Sequence, residues 1–465
     1  MVKKMINLNI IKNKLKPSKD YIFHSLKISG RKINLIYNEV LTDTKSINKF
    51  VMENIIKLNK KELLELDNNL PNCNTIIIDD SEIINYLNNG YLIIVYKKIY
   101  ALEFKTNIGR GTDKVESELS LNGPKDSFNE TFNTNLGLIR KRIKSDNLKV
   151  KDKTVGKYTK TKVGILYIEG IVKDDLINHI EKSLDKINID GIIDSSYLKN
   201  SLETKYNLFP TLIQTERPDK CSMALLEGKA VILVDNSPYA IILPSLFIDF
   251  FHTTDDYFQK SFNASFIRII RLFAFIIAIL TPAIYISVTT RNYDLIPMNL
   301  LLMLKAGRTY VPFPAYIEAL FMIICFEILK ETDLRMSATA GSAVSILGGL
   351  ILGDAAVSAG IVSPIMIIVI AISSIAGLIF TSIELANAIR TYKIILLILG
   401  TVLGIYGVII GLTLLIINLK ETESFGYNYI SYDKNEIKDS IIKLDQIIKK
   451  RNSKLSNNII RGRYK

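Results

Sequence analysis

The sequence predicts an α+β cytosolic N-terminal region of two α/β subdomains followed by an all-α polytopic membrane domain. Three observations predict it. Charged residues crowd positions 1 to about 235, whereas long apolar runs dominate from about 240 to 419. Within the charged half, short β-rich runs alternate with helical patterns. Within the apolar half, several runs approach the roughly 20 residues needed to cross a hydrocarbon core. The averages over 465 residues, 48% hydrophobic and 23% charged, conceal this division.

The net charge of +13 fits a chain rich in Ile, Asn and Lys throughout. It also fits attraction to an anionic leaflet, at about 1 kcal/mol per well-placed Lys or Arg. No basic stripe is interleaved with aromatics, so no nucleic-acid partner is expected. Cys73, Cys221 and Cys325 are too scattered for a disulfide framework or a zinc site. The basic N-terminus lacks a following apolar stretch, so no signal peptide is read and the first half is expected to stay in the cytosol.

Residues 1–20 read as a loose basic arm. Subdomain 1 is expected over 21–148. It holds the hairpin-like runs Tyr91–Tyr96 and Tyr100–Phe104, then a helix from Phe128 to Leu148 that is basic towards its end. Subdomain 2 is expected over 149–240. It has a strand at Val163–Ile168, a helix over Lys173–Ile187, and a strand–turn–strand unit from Ala230 to Ile242 around Asp235-Asn236-Ser237-Pro238. Neither unit carries a phosphate-cradling glycine loop. The membrane domain is placed at 241–420, with spans near 270–290, 312–330, 338–360, 363–383 and 394–419. Ile241–Phe251 and Leu295–Leu304 are too short to cross and suit re-entrant or interfacial pieces. Five crossings would leave the tail outside, while its basic character favours inside, so the parity stays open. In the tail, 421–465, apolar residues from Ile437 to Ile448 share one helical face, which suits either the leaflet surface or the soluble domain.

No catalytic, cofactor or metal constellation is visible. His24, His179 and His252 are far apart and belong to no triad or ligand pattern, and the chain is expected not to be an enzyme. The apolar half is more informative. Gly341, Ser345, Gly349 and Gly353 recur every four residues, and Gly400, Gly404, Gly407 and Gly411 at steps of four, three and four. Each set, read on one helix, is a smooth stripe that permits close helix approach, within one subunit or between subunits. Three acids sit at membrane depth: Glu318, Glu327 and Asp354. Intramembrane acids face a bundle interior or water. Glu318 and Glu327, nine residues apart, point to opposite faces of a straight helix. Asp354 lies beside the glycine stripe, either on a water-lined path or at a helix end near Gly360, with Val357 and Ile361 continuing the same side.

Several blocks then resemble a known family. Gly123-Pro124, Phe128, Glu130 and Asn135 through Leu138-Ile139-Arg140-Lys141-Arg142-Ile143 resemble a signature of the GerA family of spore germinant receptor A subunits. So do Thr215-Glu216-Arg217-Pro218-Asp219-Lys220 with Ala224–Lys229, Pro312-Phe313-Pro314 with Glu318, and the run from Gly353 to Pro364. The resemblance runs over about 25–420. It departs at Lys114-Val115, where the family has Glu-Pro. The same blocks also resemble the stage V sporulation protein AF, a close paralogue of the same architecture, so the resemblance leaves receptor subunit and AF paralogue open as alternatives. The resemblance implies a multi-pass protein of the spore inner membrane that works with a transporter-like B subunit and a lipoprotein C subunit. It further implies a self-oligomer in the lipid bilayer that passes ions when nutrient binds, or else a scaffold that conducts nothing. On that reading Arg140 and Arg142 are subunit-contact candidates, and the stripe from Gly341 to Ile361 borders the ion path.

Overall fold

The structure, a computed structural model, describes residues 8–59, 75–107, 115, 117–203, 207–335, 338–430, 442–443 and 455–457. The N-terminal half contains two five-stranded antiparallel sheets. The first is built from β1 (Tyr21–Ile28), β2 (Arg31–Asn38), β3 (Thr75–Ile78), β4 (Tyr91–Val95) and β5 (Ile99–Glu103), in the spatial order β1-β2-β4-β5-β3. The second is built from β6 (Leu148–Val155), β7 (Thr161–Ile168), β8 (Ile213–Thr215), β9 (Ala230–Val234) and β10 (Ala240–Leu243), in the order β6-β7-β9-β10-β8. Shifted by five, the two orders are identical, so one β topology is used twice. The sequence echoes it: Leu35-Ile36-Tyr37 and Glu39 leave β2 as Ile165-Leu166-Tyr167 and Glu169 leave β7.

Local chemistry explains the strands. β1 turns into β2 through Ser29 and Gly30 at φ +49° and +78°, the left-handed pair that matches strand twist in a two-residue hairpin. Ala230-Val231-Ile232-Leu233-Val234 is apolar at every position because both faces of its sheet are covered. One face takes the helices α2 (Phe132–Arg142) and α4 (Pro218–Glu227), through Leu136, Leu138 and Leu225. The other takes α3 (Asp174–Asp185), through Leu176, Ile177, Ile180 and Leu184.

Two expectations about the soluble half change. Residues 8–15 form a helix, α1, whose Leu15 packs against Tyr21, Ile36 and Ile93. The Lys14 carbonyl accepts from buried Lys149, and Ser18 Oγ accepts from the Val150 amide, so this segment is docked rather than loose. The tract before β6 packs on the second sheet: Phe128, Phe132 and Leu136 join the core of β6, β7 and β9. The first sheet ends at Glu103, and Phe132–Arg142, expected within subdomain 1, belongs by packing to the second sheet.

From residue 261 the chain is helical: α5 (Ser261–Thr290), α6 (Met298–Ala306), α7 (Ala315–Arg335), α8 (Ala338–Ser358), α9 (Pro364–Gly377), α10 (Ile383–Leu403) and α11 (Ile405–Glu421). The strand expected to end at Ile242 is β10 of the second sheet, so the sheet runs past the boundary placed at 240/241, and Phe247–Phe251, expected in a re-entrant or interfacial piece, is a 3-10 turn leading away from it. Among the described residues, Ser261–Thr290 and Ile383–Leu403 are long and apolar enough to cross a membrane; α9 and Gly348–Ser358 are shorter apolar helices.

Contacts fix the helix directions. α5 leaves the sheets and ends at Thr290. α7 returns, since Ala315 and Ala319 pack with Ile286 near the far end of α5. α8 runs outward again, placing Ala356 in that far cluster. α9 comes back, with Ser373 Oγ donating to the Ala278 carbonyl and Phe380 meeting Phe251 and Phe275 near the sheets. α10 starts beside Lys199 of the soluble half, at Glu384, and ends where Arg291 reaches the Thr401 carbonyl.

The expected single span at 394–419 is two helices. Gly404 takes φ +64° and ψ −144°, and Asn292 Oδ1 accepts from the Ile405 amide, so α11 folds back along α10. The second glycine set is therefore not one stripe. Gly400 faces α5, where an added Cβ would lie 3.0 Å from the Ala283 carbonyl oxygen. Gly407 and Gly411 face α10, where a Cβ would meet the Leu399 carbonyl and Leu396. Among the described residues α5 and α7 to α11 alternate in direction, and the chain returns to the sheets. Residues 423–428 form a small hairpin; Ser424 Oγ donates to Thr211 O and accepts from the Ser245 amide, and buried Tyr429 donates to Pro210 O. The tail helix expected over 437–448 lies outside the described residues apart from 442–443.

Candidate functional site

The signature segments assemble one structural grip. Glu216 Oε1 accepts from the Ser117 amide at 2.6 Å, the Ser117 hydroxyl at 2.7 Å and the Glu118 amide at 3.1 Å. Next to it, buried Arg217 donates to the Glu118 and Pro124 carbonyls and to Ser120 Oγ, each at 3.0 Å. Asp219 holds the guanidinium from the other side at 2.8 and 3.1 Å, the two-point geometry that suits arginine. Lys220 adds an ion pair to Glu118 at 2.9 Å. Gly123 sits at φ +117° against the Phe258 ring, where a Cβ would come within 2.5 Å, so this turn requires glycine. The loop then hands over to the helices, as the Leu121 and Asn122 amides donate to Asp255.

Arg140 and Arg142, read as subunit contacts, are occupied within the chain. Arg140 is 1% exposed and pairs with Asp20 at 2.8 Å, donates to Leu148 O at 2.9 Å and stacks over Tyr21. It joins the two sheet units and presents nothing to a partner's surface. Burial pushes the Tyr21 phenol up to about 12, against the pull of Arg140, so its hydroxyl stays protonated and donates to Asn88. Arg142 donates to both carboxylate oxygens of Asp126 at 2.6 Å and to the Leu138 carbonyl at 2.9 Å.

The entry to α5 is a second charged knot. Asp256 receives Arg271 at 2.7 and 3.0 Å and Arg268 at 3.3 Å, and Arg271 also donates to Phe251 O and Thr253 Oγ1. Burial acts to raise the Asp256 carboxyl, but the hydrogen bond and charge of Arg271, with Arg268, outweigh it and hold the group below the ordinary carboxylate value. Around this knot Phe209, Phe247, Phe251, Phe275, Phe380 and Tyr429 pack edge to face. They weld the second sheet to α5, α9 and the returning tail. Lys199, also buried, pairs with Glu203 at 3.7 Å and with Glu384 at the start of α10.

Farther along the helices the three acids separate. Glu318 is fully buried; it takes Arg308 at 2.9 Å and the Ser363 amide at 2.9 Å, at the cap of α9. Glu327 pairs with Arg390 at 2.8 Å. The two engage different partners and share no site. Asp354 is exposed, one turn before α8 ends, and has no hydrogen bond or ion pair to any described residue. Gly353 has open space where a Cβ would stand, and Gly349 has only Leu329 at 4.0 Å, so no described residue covers this face of α8. Gly341 and Ser345 lie in the part of α8 whose side chains are outside the description. Val357 is half-buried. Ile361 does not continue the stripe: Gly360 turns at φ +65°, and the Ile361 amide bonds back to Ala356 O as the helix stops.

Sequence reasoning found both signature blocks but not their mutual grip. It missed the arginine partners Arg308 and Arg390, because pairs across helices leave no spacing signal. Among the described residues no cluster of His, Cys, Asp or Glu could hold a metal ion.

A soluble pair of sheets anchored by charged knots to an apolar helical bundle defines the class: a membrane protein with a large soluble N-terminal domain. The model of the Bacillus/Clostridium GerA spore germination protein matches residues 9–455, and the chain belongs to this family. It is 38% identical over 340 residues to spore germination protein KA of Bacillus subtilis (strain 168), covering 72% of this chain and 62% of that one. It is 36% identical to spore germination protein GerQA of Bacillus cereus (92% and 88% covered) and 32% identical to spore germination protein B1 of Bacillus subtilis (96% and 95%). A crystal structure of the N-terminal domain of the A subunit of the Bacillus megaterium spore germinant receptor GerK3 covers 52% of this chain and 94% of that one, at 27% identity and a TM-score of 0.40. The chain is a member of the GerA family of spore germination proteins.

Proposed function

We propose that this chain is a germinant receptor A subunit that spans the spore inner membrane several times with its sheets in the cytosol, oligomerises through α8, and conducts ions when a nutrient is sensed by the assembled receptor. It performs no catalysis of its own in this reading. Its partners are the transporter-like B subunit, the lipoprotein C subunit, further copies of itself and membrane lipid. One observation carries this: α8 leaves Gly349, Gly353 and Asp354 on a face that no described residue covers or pairs with, while Glu318 and Glu327 are each matched to an arginine. Small residues let copies of α8 approach around an axis. A ring of Asp354 carboxylates there favours cations, and the Val357 side chains one turn on supply an apolar ring that closes by dewetting.

Ion release from spores, measured alongside subunit abundance, tests this. Asp354→Asn should lower cation selectivity, Val357→Ala should leak, and Gly349→Leu should block assembly. Unchanged selectivity in Asp354→Asn at normal abundance removes that residue from the path. A reconstituted receptor that never conducts makes the subunit a scaffold.

A further inference from the structure

A small cavity opens between α7, α9 and α10, lined among others by Phe326, Glu327, Lys330, Ser374, Arg390 and Lys393. Its charges do not balance. Glu327 is the single acid among the described lining residues, and it is taken by Arg390 at 2.8 Å. Lys393 is only 6% exposed, yet it has no hydrogen bond or ion pair to any described residue. Lys330 is half-buried and likewise has none. Two ammonium groups and the Arg390 guanidinium therefore converge on a cavity where Glu327 is the one described acid, next to apolar Phe326 and the helix faces. An unpaired buried cation in an apolar bundle is costly, and such groups are found paired or facing a ligand.

The position says which anion. Glu384, at the start of α10, touches Lys199 of the soluble half, and Arg390 and Lys393 follow two to three turns along. The cavity thus lies near the sheet-side end of the bundle. There Arg271 is the last charged residue of α5 before its charge-free run from Leu272. The part-exposed side chains of Arg390 and Glu327, 42% and 30%, leave it open to the outside of the bundle. In a bilayer this is the level of headgroup phosphates, and basic pockets between helices on that side hold anionic headgroups.

We infer that Lys330, Lys393 and Arg390 bind the phosphodiester headgroup of an anionic phospholipid from the sheet-side leaflet, clamping α7 to α10. The inference rests on the helices lying in a bilayer but not on ion conduction. The test uses the full chain in vesicles of phosphatidylcholine alone, of phosphatidylcholine with phosphatidylglycerol, and of phosphatidylcholine with added inorganic phosphate. Near saturation the phosphatidylglycerol should raise the melting midpoint by about 4 °C. Lys330→Gln and Lys330→Gln/Lys393→Gln should lose that increment, and Lys393→Arg should keep it. The Lys330 variant, at the more exposed group, guards against a folding defect: its midpoint in phosphatidylcholine alone should match the parent's.

Equal midpoints in both lipids, or an increment that survives in the double variant, overturns the inference. So does an equal effect of inorganic phosphate with nothing added by the lipid, which makes the site one for a free anion. A shift that follows self-association whatever the lipid overturns it in favour of a carboxylate from a second copy. A chain that enters no vesicle overturns the membrane placement as well, which separates that failure from this one.

Discussion

Arg140 shows what the signature arginines do. Its guanidinium is matched by Asp20 with Nε at 2.8 Å and Nη2 at 3.1 Å, and by the Leu148 carbonyl, with Tyr21 beneath it. Removing one member of a buried pair strands the other, at about 3–5 kcal/mol. Arg140→Ala should therefore lower stability by about that amount in denaturant titration of the full chain. Asp20→Asn/Arg140→Ala should cost less than the two single changes summed; strict additivity would sink the pairing. Asp256 gives a pH-dependent counterpart. Its carboxyl is depressed in the folded state, so the stability it contributes is present above the unfolded value of about 4 and is lost as pH falls through the folded one. Melting curves from neutral to acid pH should show Asp256→Asn less stable at neutrality but less acid-sensitive than the parent. Parallel curves at all pH values would mean the knot contributes nothing. The Glu216–Arg217 pair was legible in the sequence as a motif, but its hold on Ser117, Glu118 and Pro124 was not, because the partners lie about a hundred residues away.

At the scale of elements, the glycines divide into two kinds that the sequence pattern alone could not separate. Four-residue spacing gives the same stripe whether the helix continues or breaks, and the break at Gly404 is a backbone event supported by Asn292 from the turn after α5. The β-elements were easier. The hairpin of β4 and β5 and the β9–β10 unit follow from short continuous apolar runs around turn residues. The repeat of sheet order was hidden because the two units share pattern more than residue identity. A Cβ at Gly407 would stand 2.0 Å from the Leu399 carbonyl oxygen, a backbone atom that cannot step aside. At Gly353 it meets nothing, and alanine in a helix is favoured over glycine by about 1 kcal/mol. Gly407→Ala should reduce thermal stability and abundance, whereas Gly353→Ala should leave the isolated chain as stable as the parent or more so. If Gly353→Ala nonetheless impairs ion release at full abundance, its surface meets another copy. If it destabilises the isolated chain, α8 is packed within the subunit.

For the whole molecule the decisive feature is that the chain comes home. α5, α8 and α10 run away from the sheets, while α7, α9 and α11 run back, and the residues after α11 rejoin the second sheet. Tyr429 is fully buried there, between Phe247 and Phe250, with its hydroxyl on Pro210 O. Ser456 bridges to Val172, the Asn457 amide donates to the Ile171 carbonyl, and its side chain donates to that of Val172. A tail on the opposite side of a bilayer could make none of these contacts, so the tail must share the side of the soluble half. Single cysteines in a cysteine-free background test this in sealed vesicles of known orientation. Positions Tyr158 and Glu423, both exposed on the sheet side, should be modified by an impermeant reagent from one face. Tyr310 and Tyr406, exposed at the far turns, should be modified only from the other. Labelling of position 423 together with position 406 would require an odd number of crossings and would break the six-helix return. Agreement would also place Lys330 and Lys393 towards the labelled sheet-side leaflet, the one that holds the proposed headgroup.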